Sequence, residues 1–85
     1  MASFRLVFKR SVAKDLRSIP NADVAWILKR IEGLADDPIP PASEKLSGQE
    51  RYRVRQGAYR IIYEIRTDEL IVTVVKVGHR RHAYR

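Results

Sequence analysis

The sequence predicts an α+β fold: two N-terminal helices packed on a small, mainly antiparallel β-sheet, in the order β-α-α-β-β-β. Three observations carry this. Apolar residues recur at helical spacing between residues 11 and 35, and the period switches to two after residue 51. The late strands are also separated by turns too short for crossover helices, so they meander antiparallel. Length and composition agree with one domain spanning residues 1–85: 45% of residues are hydrophobic and 32% charged, the balance of a chain that buries a modest core.

The elements follow in order. Phe4 to Lys9 alternates loosely and reads as a first strand. Ser11 is placed to cap a short helix carrying Val12, Leu16 and Ile19, which Pro20 stops. Asn21 is placed to cap a longer helix to about Ala35, with Val24, Ile27, Leu28, Ile31 and Leu34 as its apolar stripe. Trp26 lies off that stripe and is expected to cover a second contact surface. Residues 36–41, rich in proline, cannot continue the helix and form an extended connection. From Tyr52 to Gln56 alternation is strict, with Tyr52, Val54 and Gln56 on one side and Arg51, Arg53 and Arg55 on the other. Gly57 supplies a turn, Tyr59 to Ile65 the next strand, and Thr67 to Glu69 another tight connection. Leu70 to Val77 is apolar on both faces, which predicts a central strand covered on each side.

Charge narrows the function. The net charge is +7, and it is unevenly placed: residues 1–50 carry eight Lys/Arg against seven Asp/Glu, residues 51–85 nine against three. That asymmetry points to a polyanion or an acidic partner meeting the second half. With no cysteine, disulfides and thiolate metal sites are excluded. The N-terminus lacks the pattern of a secretory peptide, and residues 70–77 are too few to span a bilayer, so a cytoplasmic protein without membrane contact is expected. No serine elbow or phosphate-cradling loop occurs, the four glycines being scattered, and no small-molecule cofactor is implied.

What remains is the basic residues. Arg51, Arg53 and Arg55 set three guanidinium groups about 7 Å apart along one strand face, a scale that suits successive phosphates. Arg60, just past the Gly57 turn, either joins that patch or forms an ion pair with Glu64 or Glu50. Glu64 is the one carboxylate expected in the patch, which argues against a magnesium-dependent nuclease, and His79 with His82 lacks the neighbours of a metal site. The C-terminal run His79, Arg80, Arg81, His82, Tyr84 and Arg85 adds permanent cations, two groups that titrate near neutrality and a phenol, placed to reach back over the arginine face.

Several segments together resemble the RelE toxins of the RelE/ParE toxin–antitoxin superfamily. They are Leu46-Ser47-Gly48, Tyr52-Arg53-Val54-Arg55, Gly57-Ala58-Tyr59-Arg60-Ile61-Ile62-Tyr63, and Val77-Gly78-His79-Arg80-Arg81 closing on Tyr84-Arg85. The likeness extends over essentially the whole chain. It implies a metal-independent endoribonuclease that cuts mRNA in the ribosomal A site and is silenced by a cognate RelB-like antitoxin. The ribose 2′-hydroxyl would attack the adjacent phosphate. The family's positions then fall on Arg53 and Arg55, which would hold the RNA backbone. They also fall on Arg60 and Arg80, which would stabilise the charge of the transition state, and on Tyr84, which would assist proton transfer. Arg51, Arg81, His79, His82 and Arg85 would add RNA contacts.

One departure matters: lysines are common at the first two family positions, and here both are arginine, which stays protonated and cannot act as a base. Proton transfer then falls to Tyr84, His79 or His82. ParE-like relatives, which inhibit DNA gyrase without catalysis, define the alternative function.

Overall fold

The structure, a computed structural model, describes residues 3–46 and 50–79. Strand β1 (Arg5–Phe8) is followed by helices α1 (Arg10–Arg17) and α2 (Asn21–Leu34). A two-residue strand β2 (Glu44–Lys45) and the strands β3 (Arg51–Gln56), β4 (Tyr59–Arg66) and β5 (Ile71–His79) come next. The sheet runs β1-β5-β4-β3-β2. Its late strands pair antiparallel, as their short turns require, and β1 alone lies parallel to its neighbour, β5. The expected architecture is therefore present, with β2 added.

Both helices cover one face of the sheet. Val12, Ile27, Ile31 and Leu34 from them, and Ile19 from the link between them, meet Val54, Ile61, Tyr63, Val72, Val74 and Val77 in one buried cluster. Each such aliphatic side chain contributes about 1.5–3 kcal/mol by leaving water. Tyr63, fully buried, donates its hydroxyl to the Pro38 carbonyl at 2.7 Å and so ties the proline connection to the core. Burial pushes its pKa up to about 12. At the same C-terminal end of α2, the Ala35 carbonyl accepts the Phe4 N–H at 2.7 Å, which fixes the entry of β1.

The caps and one strand differ from expectation. Lys9, not Ser11, is the N-cap of α1, and Ser11 lies inside the first turn. Pro20 is the N-cap of α2, its carbonyl accepting the Asp23 and Val24 N–H groups, so Asn21 is already helical. Proline already holds the extended geometry that a cap needs. Leu28 stands out to solvent rather than in the α2 stripe.

The larger correction concerns β5. Among the described residues, neither helix nor strand lies over the second face of the sheet, so β5 is covered on one side only. Its continuous apolar run has another cause. Val74 pairs with Tyr63 and Val77 with Ile61, all facing the helices, although the two valines are three positions apart. A shift of register between Ile62 and Tyr63 leaves Val75 without a partner position and absorbs the extra residue.

The turns are conditioned by backbone geometry. Gly57 sits at φ +60 in the two-residue turn between β3 and β4, with open space where a Cβ would stand. Conformation, not crowding, calls for glycine there. Leu70 adopts φ 54 before β5, a left-handed geometry uncommon for leucine, and its carbonyl accepts the Arg5 N–H at 2.8 Å.

Candidate functional site

The uncovered sheet face collects the arginines. Val54 of β3 points into the core, so Arg51, Arg53 and Arg55 point away from it. Register then determines their neighbours. Arg55 stands directly opposite Arg60 of β4, which in turn stands opposite Gly78 of β5. One step along, Arg53 is opposite Ile62, and Ile62 is opposite Lys76. Opposed side chains in an antiparallel pair lie with Cβ atoms about 4.5–5.5 Å apart, so Arg55 and Arg60 are close neighbours, with Lys76 on the diagonal from Arg60. Gly78 contributes no side chain there, and Arg60 is itself only partly exposed, with its Nε buried. Ile62 is 7% exposed yet stands apart from the main core; this apolar floor is shielded from water on the arginine side of the sheet.

The three β3 arginines are not equivalent. Arg51 donates from Nε to Glu64 Oε2 at 2.7 Å across the β3–β4 pair. Arg53 donates to Glu44, which β2 presents on the same face. Arg55 is exposed, and among the described residues no carboxylate pairs with it. The row is therefore neutralised at its Arg51 end and positive at its Arg55 end. Two guanidinium groups directly opposed repel one another, and an anion between them relieves that repulsion. Of the two carboxylates first considered for Arg60, Glu64 is bonded to Arg51 and Glu50 lies 4.0 Å from Lys45.

His79 lies on the other face. It pairs with Tyr59, and the two rings meet edge to face with centroids 5.7 Å apart, on the helix side of the sheet. Partial burial, with the Asp23 carboxylate nearby and accepting a hydrogen bond, pushes the Tyr59 hydroxyl above its ordinary pKa. Another carboxylate, Asp15 of α1, accepts the Val77 N–H at 3.1 Å and so occupies an edge position of β5. His79 is thus packed with Tyr59 away from the arginine row. Arg80, Arg81, His82, Tyr84 and Arg85 lie outside the described residues.

Two members of the open face escape a reading of the sequence. Lys76 is hidden within the apolar run of β5, and only the bulge reveals which way it points. Glu44 belongs to a strand too short to show any period. Among the described residues no three His, Cys, Asp or Glu side chains gather as a metal site would need, and no helix is long and apolar enough to cross a membrane.

Sequence and fold both match known proteins. Residues 6–84 match the family described as the ParE toxin of type II toxin–antitoxin systems, parDE. The chain is 31% identical to the putative toxin RelE1 of Methanocaldococcus jannaschii, over 96% of each chain. Its fold superposes on the RelE toxin in the archaeal RelE–RelB complex of Pyrococcus horikoshii with a TM-score of 0.84 and 29% identity, covering 95% of this chain and 99% of that one. The intact Escherichia coli RelBE complex gives 0.77 at 25% identity, covering 92% and 96%.

These likenesses define the class: a toxin of a type II toxin–antitoxin system. The chain belongs to the ParE toxin family, within the RelE/ParE superfamily that its sequence motifs resemble.

Proposed function

We propose that this toxin is a cytoplasmic, ribosome-dependent mRNA endonuclease that needs no metal and is held inactive by a RelB-like antitoxin. The observation that carries the reading is the opposition of Arg55 and Arg60 on an open, otherwise apolar-floored face, with Arg53 and Lys76 beside them. In the reaction the 2′-oxygen bonds to the adjacent phosphorus while the bond to the 5′-oxygen breaks. The 2′ proton is removed, and the leaving oxygen gains one. The products are a 2′,3′-cyclic phosphate and a 5′-hydroxyl.

Arg53 and Arg55 hold the backbone. Arg60 and Arg80 neutralise the charge that accumulates on the phosphoryl oxygens, and Tyr84 serves proton transfer. Arg51, Arg81, His82 and Arg85 supply further RNA contacts, and Lys76 joins the cations around the phosphate. His79, packed on Tyr59, anchors the end of β5 from which the tail leaves.

Relatives of the same fold occur in complex with RelB antitoxins. An acidic antitoxin segment would be attracted to the same positive face.

Primer extension on translating ribosomes tests the reading. New mRNA ends are expected with the wild type and are expected to fall roughly a hundred- to thousandfold with Arg60→Ala or Arg80→Ala, the usual effect of losing one preorganised charge donor. Wild-type cleavage in both variants would overturn the assigned roles. The family description, ParE of parDE, favours a second reading, non-catalytic inhibition of DNA gyrase. Inhibition of gyrase supercoiling, with mRNA left intact, would select it.

A further inference from the structure

We propose a second ligand site, for a nucleotide, in the groove between α2 and the end of β3. This inference goes beyond the nuclease reading and stands whether or not the protein cuts RNA. The groove encloses about 370 Å³, within the range of small-ligand pockets. Its wall is built by α2 residues Trp26, Lys29, Arg30 and Gly33, spaced i, i+3, i+4 and i+7 and so on one side of the helix.

Trp26 is the single tryptophan and is 57% exposed, although it carries the largest apolar ring in the chain. Lys29 Nζ lies 5.4 Å from the ring centroid, over one face. With Trp26 more than half exposed, much of the indole remains open to a stacking base. Arg30 Nε is buried and has no hydrogen-bond partner. A buried donor left unsatisfied is costly, and an anionic oxygen would satisfy it. Gly33 has nothing within 4 Å of where a Cβ would stand, so the floor one turn below Lys29 and Arg30 is open.

At the far side is Gln56, whose amide can both donate to and accept from the edge of a base. Asp37 also lines the groove, and its Oδ1 accepts the Ile39 N–H at 3.3 Å. Two cations thus face one carboxylate that already has a partner.

An exposed indole flanked by cations is the arrangement that takes a base by stacking and its phosphate by charge. We assign the base to Trp26 and Gln56, and the phosphate to Lys29 and Arg30. Gln56 directly follows Arg55, so the groove and the arginine face share the end of β3 on opposite sides of the sheet.

The lone tryptophan makes the test direct. Titration with the tetranucleotide r(A)4 is expected to quench Trp26 emission saturably. The double variant Lys29→Ala, Arg30→Gln is expected to weaken that binding at least about tenfold, through the lost phosphate contacts. Gly33→Leu, whose Cβ meets nothing within 4 Å, is expected to abolish quenching by filling the floor. Far-UV circular dichroism checks that both variants fold.

AMP serves as a second probe. Quenching at similar concentrations identifies a free nucleotide as sufficient, and quenching by r(A)4 alone identifies an RNA chain. Arg55→Ala is expected to impair cleavage and leave quenching intact, so failure of the nuclease reading and failure of this site are separable. No quenching by either probe, quenching unchanged in the double variant, or quenching that an acidic Glu-rich peptide reproduces and r(A)4 does not, would overturn the proposal.

Discussion

The two faces of the sheet are made from the same three strands and obey opposite rules. On the helix side, Val54, Ile61, Tyr63, Val72, Val74 and Val77 are at most 2% exposed and pack into one apolar cluster with side chains of α1 and α2. On the open side, the alternate residues of the same strands are Arg51, Arg53, Arg55, Arg60, Glu64 and Lys76, grouped around Ile62. The first face stabilises the fold. The second holds like charges closer together than folding alone would favour, and Glu44 and Glu64 neutralise only part of it. The contrast teaches that stability and function are separable here by strand parity. A residue and its chain neighbour sit on faces with different tasks.

The largest expected effect tests the covered face. Ile27→Ala removes a fully buried side chain from the centre of the helix–sheet contact. It is expected to lower the stability of the fold by about 2–5 kcal/mol, seen as an earlier midpoint in urea denaturation. A change below about 1 kcal/mol would mean that the helices do not hold the sheet as described.

Arg55→Ala tests the opposite face. Its side chain is exposed and supports no apolar packing, so the thermal midpoint is expected to stay unchanged. Cleavage on ribosomes is expected to fall roughly ten- to hundredfold, the loss of one charge-assisted contact. A variant that loses stability instead would break the comparison between the faces.

Tyr63→Phe sharpens it at smaller scale. The lost hydroxyl bond to Pro38 is expected to cost about 1 kcal/mol. The pH dependence carries the sign. Tyr63 has its pKa raised from 10.0 to about 12, so its contribution is complete below pH 10 and is lost as the pH rises toward 12. Urea denaturation between these values is expected to show a steeper alkaline loss in the wild type than in Tyr63→Phe. Equal slopes would place the hydroxyl outside the core.

How much of this was visible in the sequence follows from how each residue announces itself. The strict alternation of residues 51–56 made both faces of β3 readable, and the stripe of α2 made most of its core readable, because one period governs each. Arg60 was placed near the patch, but its position opposite Arg55 depends on the two-residue turn at Gly57, which sets the register. Lys76 was missed because a bulge breaks the alternation of β5, so an apolar run that suggested two covered faces serves one. His79 was grouped with the tail arginines on sequence proximity, whereas pairing with Tyr59 puts it on the helix side. The caps of α1 and α2 went to Lys9 and Pro20, whose extended backbones suffice without a side-chain bond.

The smallest expected effect concerns Glu44, whose two-residue strand shows no period by which to notice it. Its carboxylate is largely exposed, while the Arg53 side chain that it binds is only 18% exposed. A pair so open to water adds little to stability, so Glu44→Gln is expected to shift the denaturation midpoint by a few tenths of a kcal/mol at most. On the open face the same change removes a neutralising charge next to a guanidinium assigned to the RNA backbone. Binding of a short single-stranded RNA is expected to tighten a few-fold at low salt. The slope of log affinity against log salt is expected to steepen by up to about 0.7, the value for one more phosphate neutralised on a single strand. Measuring that slope separates two roles for Glu44. A steeper slope means that it restrains the positive face. An unchanged slope, with weaker binding, means that it holds Arg53 in the geometry that receives RNA, and the open face would then depend on its carboxylates as well as on its cations.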